Sequence, residues 1–269
     1  MVAKASNIVS RNLVVFIMRF VLMIFVFYSL LSCKGEDQVI SPVDKGIDSK
    51  NEIQKIIDDH IPLTHTINLN EDTLTFLALG DSYTIGSGVK EENRWPNQLA
   101  SSLTAINITV RKPNIIARSG WTTTNLYQQL QSSNLVEKYD MVSLLIGVNN
   151  QYQGVPFSTF QTEFIELLKF SLETAKSKSS VFVLSIPDYG VTPFGGGREY
   201  ITKEINMYNT WISEVCSSNK IKFYNITDLS RKAESDLSLL APDQLHPSGN
   251  MYGEWVNLIT NDLPDVLKQ

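Results

Sequence analysis

Five residues of the chain could act together in chemistry on a bound ligand. Ser82 follows a short apolar run, where the start of a helix would supply amide donors and a dipole that favours negative charge. Asn149 also follows an apolar run, and its amide could donate a hydrogen bond to a ligand. Gly120 could present its backbone N–H, because glycine allows close approach. Asp243 and His246 are three residues apart, so a turn could place the carboxylate on one ring nitrogen and leave the other free.

Each of these residues also has an ordinary structural explanation. Aspartate and serine are common helix caps, glycine is common in turns, and asparagine often bonds to the backbone of its own turn. The pair formed by Asp243 and His246 could be a solvated surface turn. The choice between the two interpretations therefore depends on the elements that would position these residues.

Apolar runs and helical periodicities alternate along the chain from about residue 69. The predicted strands cover residues 74–79, 141–146, 181–186 and 221–224, with weaker candidates at 106–110 and 114–117. Helical spacing predicts helices through Leu99, Leu103 and Ile106, after Pro96 in a first turn, and through Phe160–Leu172, Ile201–Val215 and Tyr252–Ile259. Continuous apolar runs separated by helices indicate parallel strands buried on both faces. We therefore predict an α/β fold, a three-layer α/β/α sandwich, in a single domain over residues 69–269.

The order of the motifs resembles that of the SGNH, or GDSL, family of serine esterases and lipases. The family's four blocks are matched by Gly80-Asp81-Ser82, Gly120, Gly147-Val148-Asn149-Asn150 and Asp243-Gln244-Leu245-His246. The resemblance spans residues 75–263 and implies a flavodoxin-like fold with a five-stranded parallel sheet. It also implies Ser82 as nucleophile, His246 as base and Asp243 as the acid that orients the histidine. The oxyanion donors would be the amides of Ser82 and Gly120 and the side chain of Asn149.

The third block departs from the family pattern at its last residue. That block usually ends Asn-Asp, and here it ends Asn149-Asn150, so the donor is retained and no carboxylate stands at position 150. The chain also lacks the Gly-x-Ser-x-Gly turn of ordinary α/β-hydrolases around Ser82. The resemblance implies a carboxylic ester hydrolase that works through an acyl-enzyme on Ser82 and needs no metal or organic cofactor.

The sequence leaves the ester open. Residues 189–197 follow a predicted strand and contain three consecutive glycines, which predicts a mobile loop in which Tyr189 and Phe194 could line an acyl pocket or form a plain connection. A lysophospholipase and an acetylesterase both fit, as does an acyltransferase that passes the acyl group to a carbohydrate. A lipid-anchored binding protein without catalysis is a further alternative.

The composition of the 269-residue chain excludes some partners. Its formal net charge is −5, and residues 1–32 contribute three basic residues and no acid, so the remainder is more acidic still. An acidic protein is a poor partner for nucleic acid, because phosphate binding depends on lysine and arginine. The three histidines are not spaced as metal ligands, so we expect no metal site. We also expect the protein to be a monomer and to act on a small-molecule, lipid or glycan ester.

The N-terminus resembles that of a bacterial lipoprotein. Lys4 and Arg11 precede an apolar stretch, and the uncharged part after Arg19 is short for a membrane span, which needs roughly 20 residues. Leu30-Leu31-Ser32-Cys33 resembles a lipobox, which implies lipidation of Cys33. We expect a signal peptide over residues 1–32, a tether with a short helix over 33–68, and a periplasmic or outer-surface lipoprotein of the cell envelope. An uncleaved membrane anchor that starts at Leu13 is the alternative.

Overall fold

Five parallel strands form one sheet in the computed structural model, which describes residues 73–135 and 137–263 together with Lys55. The strands are β1 (Phe76–Gly80), β2 (Asn114–Ala117), β3 (Met141–Leu145), β4 (Val181–Leu184) and β5 (Lys222–Tyr224). Their order across the sheet is β2-β1-β3-β4-β5. The direction of winding reverses between β1 and β3, and ligands of open α/β sheets bind in the crevice beyond the carboxyl ends at such a point.

The three inner strands are buried along their whole length, whereas β2 and β5 at the edges are partly exposed. Successive side chains of a strand point to opposite faces, so full burial means that both faces of the sheet are covered. This is why β1, β3 and β4 are continuous apolar runs in the sequence rather than alternating patterns. The predicted α/β fold with a five-stranded parallel sheet is confirmed.

Helices connect the strands and cover the sheet. The α-helices of the described part are α1 (Ser82–Ile85), α2 (Trp95–Ala105), α3 (Thr123–Gln131), α4 (Val148–Tyr152), α5 (Phe157–Thr174), α6 (Glu199–Ser218), α7 (Thr227–Arg231) and α8 (Gly249–Thr260). Helix α2 packs against α8, and α3 packs against α5. Trp95 of α2 is fully buried against Phe76 of β1, with 6.0 Å between the ring centroids.

The N-terminal predictions fall outside the described residues. This applies to the signal peptide over 1–32, to Cys33, and to the tether over 33–68, of which Lys55 alone is described. Within the described residues, no helix has both the length and the apolar composition that crossing a membrane requires.

Two expectations about the segment after α2 are wrong. Residues 106–110 do not form a strand, and Val110 makes an isolated bridge to Leu74. Ile106 is 53% exposed instead of extending the buried face of α2, because the helix ends there and the chain turns at Asn107 with a φ of 65°. The segment pairs with the chain before β1 only at Leu74, whose N–H donates to the carbonyl oxygen of Thr109 at 2.8 Å and whose carbonyl oxygen accepts the N–H of Arg111 at 2.9 Å.

The helix α3 between β2 and β3 has a weak signal in the sequence and was not predicted. Its buried apolar side chains are Leu126 and Leu130, and most of its other residues are polar. The helix starts with a capping box in which Thr122 and Asn125 bond to each other's backbone. Asparagine is a less usual partner in that motif than glutamate or glutamine, so the start signal is also weak.

The connection from β1 to α1 is tight and buried. A Cβ on Gly80 would lie 2.3 Å from Thr84 Oγ1 and 2.4 Å from the carbonyl oxygen of Leu145, so no larger residue fits there. Asp81 caps α1, because its carboxylate accepts the backbone N–H of Tyr83 at 3.0 Å. Burial raises the pKa of Asp81 to about 7, although the hydrogen bond from Tyr83 acts in the opposite direction.

We predict that Asp81 makes the free energy of unfolding depend on pH. Its pKa is about 7 in the folded protein against an ordinary value of 3.8, so between these values the folded state keeps a proton that the unfolded chain releases. The stability from this group is therefore complete at low pH and is lost as the pH rises to about 7, by about 1.4 kcal/mol per unit of pKa difference.

Urea unfolding of the wild type and of Asp81→Asn, at a series of pH values between about 4 and 8, measures this contribution. Asparagine can still accept the hydrogen bond from Tyr83 but does not titrate, so the wild type should lose stability relative to the variant as the pH rises. A constant difference between the two proteins across this range would contradict the prediction.

Candidate active site

Four of the residues selected from the sequence, Ser82, Gly120, Asn149 and His246, line one cleft. The cleft has a volume of about 160 Å³. Its wall consists of Ser82, Tyr83, Ser119, Gly120, Val148, Asn149, Tyr152, Tyr189, Phe194, Leu245 and His246. A larger groove of about 630 Å³ lies beside α2, and none of the predicted site residues lines it.

The register of three strands explains where the cleft forms. Gly80 of β1 is aligned with Ala117 of β2 and with Leu145 of β3, so the three strands end at the same level. The residues that follow them therefore meet at one edge of the sheet, although they are far apart in the sequence. This is the crevice at the point where the winding of the sheet reverses.

Ser82 is the first residue of α1 and is 5% exposed. Its Oγ has no hydrogen-bond partner among the described residues, so the hydroxyl is free to interact with a ligand or with His246. The backbone N–H groups in the first turn of a helix have no partner within that helix. Ser82 therefore presents both a hydroxyl and a backbone donor at the cleft.

Asp243 and His246 form a hydrogen-bonded pair, with 2.6 Å between Oδ2 and Nδ1. The other carboxylate oxygen accepts the backbone N–H groups of Leu245 and His246, each at 3.0 Å. Partial burial alone would raise the pKa of Asp243, but the hydrogen bonds from His246 and Leu245 outweigh it and hold this pKa below its ordinary value. An ionised carboxylate can only accept, so Nδ1 of His246 carries the proton of the pair and Nε2 is left for another partner.

The loop that carries this pair is held from two sides. Leu240 forms an antiparallel bridge with Pro247, and the N–H of Ala241 donates to the carbonyl oxygen of His246 at 2.7 Å. On the other side, the ring of Tyr83 packs edge-on against the imidazole, with 5.5 Å between the centroids. The imidazole is thus fixed between its own turn and helix α1.

Gly120 lies in a turn that a hydrogen bond from the N–H of Trp121 to the carbonyl oxygen of Arg118 closes at 3.2 Å. Its φ of 83° is in the left-handed region, as at the third position of a type II turn. A Cβ at this position would meet nothing within 4 Å. The turn therefore requires glycine for its backbone conformation, which sets the direction of the Gly120 N–H, and not for space.

Asn149 of α4 and Gln153, the residue directly after α4, hold the Gly120 turn through their side-chain amides. Asn149 Nδ2 donates to the carbonyl oxygen of Trp121 at 3.0 Å, and Gln153 Nε2 donates to that of Gly120 at 3.0 Å. A side-chain amide has two N–H groups, so Asn149 keeps a second donor after this contact. The sequence did not indicate Gln153, whose position one helical turn after Asn149 was the available signal.

Asn150, the departure from the family pattern, is fully buried behind the cleft. Its Oδ1 accepts the N–H of Thr123 at 3.0 Å, and its Nδ2 donates to the hydroxyl of Thr123 at 2.6 Å. That hydroxyl in turn donates to Glu163 Oε2 of α5 at 2.5 Å. Because an amide can accept and donate at once, Asn150 joins α4 to the start of α3. Through the hydroxyl of Thr123 it is also connected to the carboxylate of Glu163 on α5.

The structure adds aromatic and apolar residues to the site. Tyr189 and Phe194, the candidates for an acyl pocket, both line the cleft. Sequence reasoning missed Tyr152, which lies three residues after Asn149 on α4 and so faces the same way. It also missed Tyr83 and Leu245, each directly beside a predicted site residue.

Metal ligands and cysteines play no visible part in the cleft. Among the described residues, no group of three or more histidine, cysteine, aspartate or glutamate side chains is arranged to hold a metal ion. Cys216 of α6 is fully buried and free, and burial raises the pKa of its thiol to about 12. It is a small buried apolar residue, and Cys33 lies outside the described residues.

Several solved structures have the same fold. The structure of TesA matches with a TM-score of 0.57 and 18% identity, over 71% of this chain and 99% of that chain. The esterase EstA from Pseudoalteromonas sp. gives 0.57 and 18%, over 72% and 99%. The acetylxylan esterase Axe2 from Geobacillus stearothermophilus gives 0.57 and 16%, over 72% and 96%. At these identities the likeness concerns the fold alone.

The sequence itself is similar to that of an esterase. A multidomain esterase of Ruminococcus flavefaciens is 26% identical over 147 residues, which are 50% of this chain and 18% of that protein. The chain thus spans less than a fifth of the length of this relative. Residues 78–253 match the GDSL-like Lipase/Acylhydrolase family, a range that includes Ser82, Gly120, Asn149, Asp243 and His246. Because this match covers well over half of the sequence, the chain belongs to the GDSL-like lipase/acylhydrolase family of ester hydrolases.

Proposed function

We propose that the protein hydrolyses carboxylic esters through an acyl-enzyme on Ser82, with His246 as base and Asp243 as the acid that orients it. The observation that carries the proposal is the cleft that holds both Ser82 and His246, with the imidazole bound through Nδ1 to an ionised carboxylate. This leaves Nε2 to exchange a proton with the serine. Among the described residues Nε2 makes no hydrogen bond to Ser82, and catalytic contacts of this kind often form only in the complex with substrate.

The reaction proceeds in two halves that use the same groups. His246 takes the proton of the Ser82 hydroxyl while Oγ attacks the ester carbonyl carbon. Asp243 stabilises the imidazolium, which then gives its proton to the departing alcohol. Water attacks the acyl-enzyme in the second half, and His246 takes a proton from it and returns that proton to Ser82 as the acid leaves.

We propose that three donors from residues of the cleft stabilise the negative charge that develops on the intermediate. They are the backbone N–H of Ser82, the backbone N–H of Gly120 and the second amide N–H of Asn149. Each donor of this kind lowers the barrier by about 3 kcal/mol in other hydrolases. The contacts from Asn149 and Gln153 to the Gly120 turn fix two of the donors relative to each other before substrate binds.

The names of the relatives support an ester substrate without selecting one. They include an acetylxylan esterase, a multidomain esterase and an esterase inhibited by monoethylphosphonate. The last supports the use of phosphonate probes on this chain. An acyltransferase would use the same acyl-enzyme and differ only in the acceptor of the acyl group. Transfer of the acyl group to a hydroxyl of an added sugar, in preference to water, would therefore distinguish an acyltransferase from a hydrolase.

We also propose that the mature protein is a cell-envelope lipoprotein anchored through Cys33. The charged, apolar and small-residue order before Cys33 supports this, as does the short uncharged stretch after Arg19. Residues 33–68 would then tether the hydrolase domain over 69–269 to the membrane.

Replacement of Ser82 by alanine should abolish hydrolysis. We expect kcat on p-nitrophenyl acetate to fall by about 10³-fold or more, because the nucleophile is lost while the oxyanion donors remain. A fluorophosphonate probe should label the wild type at Ser82 and leave Ser82→Ala unlabelled. Ser101→Ala, at an exposed position of α2, is the control and should keep both activity and labelling. Equal turnover by Ser82→Ala and the wild type would contradict the assignment.

Replacement of Gly120 by alanine should lower kcat much more than it changes KM. The left-handed φ of 83° strains any residue with a Cβ by about 1 to 2 kcal/mol, and relief of that strain turns the N–H away from the oxyanion. We expect kcat to fall by about 100-fold.

Gly154→Ala is a matched control for Gly120→Ala. Gly154 also has a left-handed φ, of 67°, and a Cβ added there would meet nothing within 4 Å, but this residue does not line the cleft. Both variants should lose a similar amount of thermal stability, and Gly154→Ala should keep its kcat. Equal kcat values for the two variants would show that Gly120 does not supply a donor.

Cys33→Ser should release the protein from the membrane fraction of a bacterium that processes lipoproteins. It should also abolish incorporation of a clickable palmitate analogue, because the acceptor thiol is missing. Cys216→Ala is the control and should stay membrane-bound and labelled, since Cys216 is buried in the core. A Cys33→Ser protein that remains in the membrane fraction would instead support an uncleaved anchor from Leu13.

A further inference from the structure

Three aromatic rings form one side of the cleft beside Ser82. We call them the aromatic wall, which consists of Tyr152, Tyr189 and Phe194. The rings come from three separate elements, namely the end of α4, a 3₁₀ turn (Tyr189–Val191) after β4, and the loop before α6. Their centroids are 6.0 to 6.3 Å apart, so each ring contacts the other two.

Hydrogen bonds fix Tyr189 at the back of the wall. Its hydroxyl donates to Gln151 Oε1 at 2.7 Å, and Gln151 Nε2 donates to Glu204 Oε2 of α6 at 2.6 Å. Burial raises the pKa of Tyr189 to about 12, so the hydroxyl keeps its proton and remains a donor to Gln151. These hydrogen bonds from Tyr189 to α6 use only the hydroxyl of Tyr189, so its ring remains an apolar surface of the cleft.

Backbone packing fixes Phe194. A Cβ on the next residue, Gly195, would lie 1.9 Å from the carbonyl oxygen of Tyr189, so the loop can fold this closely only with glycine there. The loop is closed by a hydrogen bond from the N–H of Gly197 to the carbonyl oxygen of Gly190 at 3.0 Å. The close contact at Gly195 and this hydrogen bond give the loop a compact fold that presents Phe194 to the cleft.

The front of the wall faces solvent. Tyr152 is 57% exposed and Phe194 is 44% exposed, which makes them two of the few large apolar side chains that the described residues leave exposed. The rings touch each other and continue the apolar lining formed by Val148 and Leu245. A continuous exposed apolar surface beside reactive groups is typical of a ligand site.

Size and charge define what the wall can accept. The cleft has a volume of about 160 Å³, whereas pockets for drug-sized ligands have about 300 to 1,000 Å³. No lysine, arginine, aspartate or glutamate is among its lining residues, so a charged headgroup would find no counter-charge there. The surface thus favours a small uncharged group next to the reacting carbonyl.

We propose that the aromatic wall is the acyl-binding site and selects esters of short, uncharged acyl groups, from acetyl to butanoyl. This inference rests on the proposed function, since it places the acyl group of the Ser82 acyl-enzyme against Tyr152, Tyr189 and Phe194. Longer chains would have to leave the cleft past the exposed rings of Tyr152 and Phe194. Removal of either ring would open that path and enlarge the site.

A chain-length series tests the proposal. The values of kcat/KM of the wild type are measured on p-nitrophenyl esters from acetate to dodecanoate and on a lysophosphatidylcholine. We expect the highest values at two to four carbons, a fall of about tenfold or more at eight carbons, and weak turnover of the lysophospholipid. Tyr152→Ala and Phe194→Ala should each raise the ratio of octanoate to acetate turnover by about fivefold or more.

Tyr200→Ala is the matched control. Tyr200 is 53% exposed, close to the exposure of Tyr152, but it does not line the cleft, so its replacement should leave the chain-length profile unchanged. Thermal unfolding of all three variants verifies that they fold. The side chains of Tyr152 and Phe194 are exposed, so we expect little loss of stability.

The outcomes separate this proposal from the proposed function. The acyl-site assignment would be overturned if the wild type preferred acyl chains of eight or more carbons or hydrolysed lysophosphatidylcholine efficiently. It would also be overturned if neither Tyr152→Ala nor Phe194→Ala changed the ratio of octanoate to acetate turnover. In each of these cases, labelling of Ser82 by the fluorophosphonate probe would still support the proposed function. Absence of labelling together with absence of hydrolysis across the whole series would overturn the proposed function, and the acyl site with it.

Discussion

Gly80 ends β1 in a gap between α1 and β3, where a Cβ would lie 2.3 Å from Thr84 Oγ1 and 2.4 Å from the carbonyl oxygen of Leu145. This close fit lets the chain pass from a fully buried strand into a helix within two residues, so that Ser82 becomes the first residue of α1. The neighbouring strands end at the same level, which brings Gly120 and Asn149 to the same edge. The geometry of the cleft is thus set by strand register and by one glycine before any polar contact is made.

Polar contacts then fix the groups that the sheet has brought together, and Asn150 shows how specific they are. Thr123 has one hydroxyl proton, which it donates to Glu163, and it can accept from Asn150 only because an amide has N–H groups to give. A carboxylate at position 150 would compete with Glu163 for that proton and leave two acids around one hydroxyl. Asn150, where the family pattern has an aspartate, is therefore compatible with Glu163 as the acid that accepts the proton of Thr123. The start of α3, which follows the Gly120 turn, remains tied to the helix that carries Asn149.

The sequence was informative wherever a local pattern reflected the buried sheet. Continuous apolar runs located β1, β3 and β4, because strands covered on both faces have no polar positions. The residues after those strands could then be assigned to one edge, which located Ser82 and Asn149 together. Residues 106–110 have the composition of a strand, but the chain turns at Asn107 with a φ of 65° and pairs with the segment before β1 only at Leu74, and this turn is not visible in the apolar pattern. Tyr152 was missed for a similar reason, since its place in the cleft depends on how α4 is oriented.

Two acids near Ser82 behave differently because their surroundings differ. Asp81 is fully buried and receives one backbone N–H, so its pKa rises to about 7 and it is largely neutral in mildly acidic solution. Asp243 is partly exposed and receives hydrogen bonds from two backbone N–H groups and an imidazole, so it stays ionised. In the proposed mechanism, a charge on Asp81 would oppose the negative charge that develops on Ser82 and the oxyanion, whereas the charge on Asp243 would stabilise the imidazolium of His246. Hydrogen bonds thus keep Asp243 ionised beside His246, whereas burial reduces the negative charge of Asp81 beside Ser82.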